Sequence, residues 1–263
     1  MKDILKRLIN RYDYVGAYEV LNEKGLEKTD LAILINSTRY ALNFDFKTSK
    51  RVLYKISDNL KENYILKDLE RNLQDLIDGK PDELFSELIY NTNFQLLNKE
   101  YIDFLGRIYR FREAIFKYIF VRFNDNKKTF SLHTKAMEKR EILKKLRKKY
   151  RINNGSVVYG VENYIRNYCS DEYKINKVSN KLTSEKIKKL INLRNDSIVG
   201  HGFIGISKND IYKIYGTPSD IIRDFKKCLN TLGFVIDNDK YKKINLLLLE
   251  LLEELNGKIK KGN

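Results

Sequence analysis

The stretch RNDSIVGHGFIG, from Arg194 to Gly205, decides the fold class of this chain, because two incompatible patterns overlap in it. Gly200, Gly202 and Gly205 spell the G-x-G-x-x-G of a dinucleotide-binding loop, which belongs to an α/β fold. Arg194 and His201 are the ends of a second pattern, R-N-x5-H. The residues around the stretch show which pattern applies.

The surrounding sequence argues against a dinucleotide-binding loop. Such a loop follows a buried strand and opens a helix, whereas Ser184–Arg194 has apolar residues at helical spacing. Only Ser197–Val199 is free to be extended, and that is too short for a buried strand. Asp220 stands about 20 residues further on, as a ribose-binding acid would, but with Thr217 it matches a capping box. We therefore interpret the glycine pattern as a coincidence and expect no cofactor.

The N-terminal part of the chain contains a repeat that is typical of helical hairpins. RYDYVGAYEVL (Arg11–Leu21) and NFDFKTSKRVL (Asn43–Leu53) start 32 residues apart and share an aromatic-Asp-aromatic triplet and a Val-Leu pair. Asp13 and Asp45 are predicted N-caps, because an aspartate can accept from the first free N–H groups of a helix. A period of this size fits stacked helical hairpins. The small residues that keep one face open are Ala17 and Ser49.

The rest of the chain also has helical spacing, and no segment shows sustained β alternation. A long helix is predicted from about Glu100 to Phe123, followed by a polar break at 124–130. Residues predicted at helix starts are Thr183, the capping-box pairs Ser207–Asp210 and Thr217–Asp220, and the two prolines, Pro81 and Pro218. We predict an all-α fold with a repeat-like helical domain at 1–98, a second helical domain at 99–257 and a basic tail at 258–263.

The composition indicates a globular protein with a polyanionic partner. The net charge is +16 and the isoelectric point is near 9.5, which favours a nucleic acid or an acidic membrane surface. A merely solvated, lysine-rich surface is the alternative. The two cysteines show no disulfide or metal spacing, and the charged N-terminus is unlike a signal peptide. The most apolar run, INLLLLELLEEL, is too short and too charged to span a bilayer. We expect a cytoplasmic protein.

Three stretches together resemble the HEPN superfamily of ribonucleases. R-N-x5-H resembles the R-x4–6-H motif of that family, and RNDSIVGHGF is similar to the motif of the type III CRISPR accessory ribonucleases that join a CARF sensor domain to a HEPN domain. RIYRFREAIFKYI (Arg107–Ile119) is similar to their first long HEPN helix. YDYVGAYEVL is similar to the helical segment between CARF and HEPN.

The resemblance implies a metal-independent endoribonuclease that cuts single-stranded RNA with the RNA 2′-OH as nucleophile, in antiviral defence. It also implies a homodimer whose composite site takes the motif from both protomers. Arg194 would bind the phosphate and stabilise the transition state, His201 would act as acid or base, and Asn195 would orient or polarise. Nothing in the sequence matches the α/β CARF domain. A sensor of that type is therefore expected to be separate or missing, and no cyclic oligoadenylate site is assigned.

Several residues are candidates for supporting roles. Glu113 is a candidate to pair with Arg194 and orient it, although an ordinary intrahelical pair is the alternative, and Ser197 lies within the motif. His133 has no neighbours at metal-ligand spacing and is expected to be non-functional, so no metal site is predicted. The basic helix before Arg151 is either an RNA-binding face or a solvated one. Its candidate RNA-binding residues are Lys145, Arg147, Lys148 and Lys149.

Two other functions stay open on the sequence. One is a non-catalytic helical module whose motif only binds RNA or a protein. The other is a HEPN-type toxin that a separate antitoxin neutralises. RNA binding without cleavage would indicate the first, and toxicity relieved by a neighbouring gene product would indicate the second.

Overall fold

The computed structural model describes residues 1–124 and 131–261, with side chains described as far as residue 257. Every regular element in these residues is a helix and none is a strand, so the predicted all-α fold is confirmed. The predicted polar break at 124–130 lies, apart from Asn124, outside the described residues, and so do the side chains of the predicted tail at 258–263. The chain forms two compact units, unit 1 (Met1–Asp78 with Asp237–Asn263) and unit 2 (Gly79–Ile236).

Unit 1 is a set of helices in which chain neighbours pack against each other. Its helices are α1 (Lys2–Asn10), α2 (Tyr14–Glu23), α3 (Asp30–Leu42), α4 (Phe46–Leu53), the short α5 (Asp58–Lys61), α6 (Tyr64–Ile77) and α15 (Lys240–Lys261). Each of α1 to α3 contacts the next helix, and α4 contacts α6. The last helix, α15, returns to pack on α1, α3 and α6.

The two repeat copies end one helix and start the next in the same way. In each copy the first aromatic has a left-handed backbone, with φ of 59° at Tyr12 and 62° at Phe44. The N–H groups of this residue and of the following aspartate donate to carbonyls in the last turn of the preceding helix, as in a Schellman motif. The aspartate side chain then accepts from an N–H in the first turn of the next helix, at 2.9 Å for Asp13 and 3.1 Å for Asp45. Both predicted N-caps are confirmed.

The small residues of the repeat are fully buried, as expected for residues that let another helix approach. Ala17 and Ser49 have no exposed surface. The Ser37 hydroxyl of α3 donates to the Ser49 carbonyl at 2.9 Å and lies 3.0 Å from the Ser49 hydroxyl. A larger side chain at Ser49 would separate these two helices.

Unit 2 is built around one long helix. Its elements are α7 (Pro81–Leu97), α8 (Tyr101–Asn124), a 3₁₀ turn (Lys135–Met137), α9 (Lys139–Tyr150), α10 (Val157–Tyr168), α11 (Tyr173–Leu182), α12 (Glu185–Asn195), α13 (Lys208–Ile214) and α14 (Pro218–Thr231). The helices α7 and α9 to α12 pack along α8, and Phe225 of α14 contacts Phe111 of α8, with ring centroids 5.1 Å apart. Aromatic and aliphatic side chains recur along α8 at helical spacing and are buried, among them Phe104, Ile108, Phe111 and Ile115.

The compact units differ from the predicted domains. The predicted boundary between 98 and 99 lies inside unit 2, because α7 packs on α8 and α14. At the other end, α15 was expected in the second domain and packs instead with unit 1. Helical spacing shows that a helix has an apolar face, but it does not show which neighbour covers that face.

Most predicted helix starts are confirmed. Pro81 and Pro218 are in the first turns of α7 and α14, and the capping boxes at Ser207 and Thr217 are both formed. The N-cap predicted at Thr183 is wrong, because Thr183 instead follows α11 and its hydroxyl donates back to the Ser179 carbonyl at 2.9 Å.

Candidate functional site

Arg194 lies in the last turn of α12, half-buried against α8. Its guanidinium carbon is 4.7 Å from the centroid of the Tyr109 ring, which is a cation–π geometry. Nη1 donates to Oδ1 of Asn195 at 3.2 Å. Nε is buried and has no hydrogen-bond partner among the described residues. The aromatic ring and the neighbouring amide therefore hold the guanidinium, and one buried donor is left unsatisfied.

After α12 the chain folds back onto the end of that helix. The N–H of His201 donates to the carbonyl of Asn195 at 2.8 Å, and the N–H of Ile204 donates to the carbonyl of Asp196 at 3.0 Å. We call residues 196–206, which lie between α12 and the cap of α13, the α12 turn. The backbone of His201 is thus hydrogen-bonded to Asn195, the residue that directly follows Arg194.

Ser197 holds the α12 turn together from within. It is fully buried, and its hydroxyl donates to the Arg194 carbonyl at 2.7 Å. Its own carbonyl accepts from the N–H groups of Gly200 at 2.8 Å and of Gly202 at 3.3 Å. This geometry gives Ser197 a positioning role, since it fixes the backbone at both ends of the motif.

Two glycines of the motif lie where a side chain would collide with the backbone of the helix end. A Cβ at Gly200 would stand 2.3 Å from the Asn195 carbonyl oxygen, and one at Gly202 would stand 2.1 Å from the Asp196 carbonyl oxygen. Neither glycine has a positive φ. Both are required because the α12 turn lies directly against the helix end. A helix and not a strand precedes the turn, which agrees with the sequence argument against a dinucleotide-binding loop.

The outer surface of the α12 turn is exposed and largely apolar. His201 is exposed, and in the same turn Ile198, Phe203 and Ile204 are 71%, 95% and 59% exposed. Val199 turns back toward α8, where its Cγ2 would be 3.9 Å from a Cβ at Gly106, and Ile206 packs against the buried core of unit 2. An imidazole among uncovered apolar side chains is accessible to a ligand or a partner.

A capping box fixes the far end of the α12 turn. The Asp210 carboxylate accepts from the hydroxyl and the N–H of Ser207, at 2.6 and 2.9 Å. These two hydrogen bonds lower the pKa of Asp210, and the bond from the hydroxyl has the larger effect. The α12 turn is thus attached to defined helix ends on both sides.

Glu113 is not paired with Arg194. Its carboxylate lies 2.8 Å from Nζ of Lys117 and 3.5 Å from Nη1 of Arg110. In the described part of the chain no ion pair joins it to Arg194. These partners stand four residues after and three residues before it on α8, so the intrahelical alternative applies. Arg194 is contacted instead by Tyr109, one turn earlier on the same helix.

The candidate RNA-binding residues of α9 are separated by the fold. Lys145, Lys148 and Lys149 line a cavity beside α8, whereas Arg147 is exposed and does not line it. No residue of the α12 turn lines this cavity. The basic helix and the arginine–histidine motif are therefore two distinct features of unit 2.

The sequence did not predict that Tyr109 contacts the guanidinium of Arg194. Tyr109 lies in the stretch RIYRFREAIFKYI, which was predicted to be part of a long helix. No local pattern pairs it with Arg194, because the contact joins helices that are far apart in sequence.

Neither a metal centre nor a membrane span is found in the described part of the chain. Within it, no three His, Cys, Asp or Glu side chains are grouped so as to hold a metal ion. No described helix has both the length and the apolar character needed to cross a bilayer.

No family model and no curated protein matches this chain. The fold itself defines the class: an all-α protein with two helical units. Unit 2 carries Arg194 at the end of α12 and His201 in the α12 turn.

Proposed function

We propose that this protein is a metal-independent endoribonuclease that cuts single-stranded RNA, with Arg194 and His201 as its catalytic residues. The observation that carries the proposal is the hydrogen bond from the His201 N–H to the Asn195 carbonyl, at 2.8 Å. It returns the histidine to the helix end that holds Arg194. A guanidinium and an imidazole at one helix end are the two groups that RNA cleavage without a metal needs.

The proposed reaction uses groups of the RNA and of the two side chains only. The 2′-OH attacks the adjacent phosphorus and loses its proton, while the bond from phosphorus to the 5′ oxygen breaks and that oxygen takes up a proton. The products are a 2′,3′-cyclic phosphate and a 5′-hydroxyl. His201 moves protons, the usual role of a histidine in acid–base catalysis. Arg194 stabilises the charge on the phosphate, and Asn195 and Tyr109 hold its guanidinium in place.

We also propose that the site is completed in a homodimer. The support is the exposed apolar surface of the α12 turn, formed by Ile198, Phe203 and Ile204. Apolar side chains grouped in this way are typical of surfaces that a partner covers. A second copy would bring a second arginine and histidine to the same place. Sedimentation of the parent and of Phe203→Ser tests this part, and a parent that remains monomeric at high concentration contradicts it.

The experiment for cleavage is a gel assay of labelled single-stranded RNA in excess EDTA. His201→Ala is expected to reduce the rate by about 10²- to 10⁴-fold, the usual contribution of a positioned acid or base. Arg194→Ala is expected to reduce it by about 10²- to 10³-fold, as the loss of one charge-stabilising donor does. His133→Ala, at the only other histidine, and Arg166→Ala, at an exposed arginine of α10, are matched controls. Both controls are expected to cleave like the parent.

The products and the substrate decide between this proposal and its rivals. A 2′-deoxy nucleotide at the cut is expected to block cleavage, because it removes the nucleophile. A His201→Ala variant that cleaves as fast as the parent would show that the assignment of that residue is wrong. RNA that is bound but never cut would indicate a binding module. A role in antiviral defence, in a type III CRISPR or related system, is part of the proposal and has only the motif resemblance as support.

A further inference from the structure

The cavity beside α8 in unit 2 has the size of a small-molecule site. It has a volume of about 620 Å³ and lies between the C-terminal end of α8, the 3₁₀ turn and α9. Small-molecule sites usually span about 300–1,000 Å³. Phe120, Val121 and Ile142 line it and are themselves buried, so part of its wall is apolar.

Lysines surround this cavity with little compensating charge. Among the described residues, one carboxylate lines it, that of Glu141, and this lies 3.9 Å from Nζ of Lys144. Like charges collected around an apolar wall repel each other and attract a multivalent anion. The lining lysines are Lys135 of the 3₁₀ turn and Lys144, Lys145, Lys148 and Lys149 of α9.

The α9 side of the cavity is fixed to α8 by hydrogen bonds at Asn124. The Tyr150 hydroxyl donates to Asn124 Oδ1 at 2.5 Å, and Nζ of Lys145 donates to the Asn124 carbonyl at 3.3 Å. The Tyr150 ring also contacts the rings of Phe120 and Tyr164, with centroids 6.1 and 4.7 Å apart. Because these contacts already fix the wall, fewer side chains have to be ordered when a ligand binds, and binding costs less free energy.

We propose that this cavity binds a nucleoside triphosphate. Ammonium groups bind phosphates as point charges. The described lining has five lysines and one carboxylate, and a triphosphate supplies several negative charges to match them. The apolar wall suits a base, whereas a carboxylate metabolite would leave most of the lysines unmatched. The site does not depend on RNA cleavage, because it shares no residue with the α12 turn.

The test is a fluorescence titration of the full chain with N-methylanthraniloyl-ATP in EDTA at about 0.15 M ionic strength, where the Debye length is about 8 Å. The double variant Lys148→Gln/Lys149→Gln is expected to weaken binding about tenfold or more, as lost charge-assisted hydrogen bonds would. Arg140→Gln/Arg147→Gln removes the same charge from the same helix at exposed residues that do not line the cavity. It is expected to bind within about twofold of the parent, since distant surface charges are screened.

Competition experiments identify the ligand class. Unlabelled ATP is expected to displace the probe, inorganic triphosphate to displace it less well, and adenosine not at all. Inorganic triphosphate as effective as ATP would overturn the nucleoside part, and a single-stranded RNA more effective than ATP would make the surface an RNA site. Equal losses in both double variants, or no saturable binding by the parent, would overturn the proposal altogether. Arg194→Ala/His201→Ala is expected to retain probe binding, so a failure here and a failure of cleavage are distinguishable.

Discussion

Two kinds of turn end helices in this protein, and they use their side chains differently. In unit 1 the turns at Asp13 and Asp45 bury the second aromatic of the triplet and use the aspartate as a cap. The α12 turn of unit 2 closes just as tightly, but it leaves His201 and Phe203 exposed. The side chains of the unit 1 turns therefore stabilise the fold, whereas those of the α12 turn are accessible to a ligand or a partner.

The largest effect is expected where the α12 turn meets its helix. Gly202→Ala places a Cβ 2.1 Å from the Asp196 carbonyl oxygen, so the turn has to move away from the helix end. We expect a loss of about 2–3 kcal/mol in the free energy of unfolding, as for overpacked sites, and loss of RNA cleavage. Urea denaturation and the gel assay measure the two effects.

Gly205→Ala is the matched control for this substitution, because nothing lies within 4 Å of the added Cβ. It is expected to change stability and cleavage little. If both glycine variants have the same free energy of unfolding and the same cleavage rate, the close contact at Gly202 does not affect stability. The close packing of the α12 turn on its helix would then be unimportant.

The next effect is expected at the unit 1 turns. Asp13→Ala and Asp45→Ala each remove a side-chain cap, which typically costs about 1 kcal/mol. We expect the two losses in the free energy of unfolding to add within about 0.5 kcal/mol, because the caps belong to separate helices. RNA cleavage at moderate temperature should be unchanged. Asn at either position can still cap, so Asp13→Asn and Asp45→Asn should lose much less; equal losses would contradict the cap assignment.

A smaller effect is expected at Tyr109. Tyr109→Leu removes the ring under the Arg194 guanidinium while it keeps an apolar side chain. Cation–π contacts at partly exposed sites contribute about 0.5–1 kcal/mol, so kcat/KM for RNA should fall about twofold to fivefold. Tyr109→Phe keeps the ring and should match the parent. A Phe variant as impaired as the Leu variant would indicate that the hydroxyl, and not the ring, matters.

The smallest effect concerns the pKa of Asp210, at the far end of the α12 turn. Hydrogen bonds from the Ser207 hydroxyl and N–H lower this pKa. The stability that these hydrogen bonds supply is therefore complete above the unfolded pKa of about 3.9, and it is lost as the pH falls through the lower folded pKa. Ser207→Ala should raise the pKa of Asp210, measured by carboxyl NMR titration. An unchanged pKa would show that the hydroxyl does not lower it.

Local patterns were enough to predict much of the fold. The aspartate caps, the two capping boxes and the proline helix starts each depend on residues within one helical turn, so the sequence specifies them directly. The sequence grouped Arg194, Asn195 and His201 in one motif, and the structure brings them together at the end of α12. Their catalytic roles stay predictions. The contact of Tyr109 with Arg194 was not predicted, because it depends on which helices meet. The partners of Glu113 are local, and they are those of the intrahelical alternative.

The sequence by itself determined that this protein is helical and basic and where most of its helices begin, since helical spacing and caps are local properties. Only the tertiary structure decided that α15 belongs with unit 1, that Tyr109 lies under Arg194, and that the lysines of α9 line a cavity. The physical reason is the same in each case. An apolar or charged face is visible in the sequence, but the surface that covers it is set by packing between distant segments.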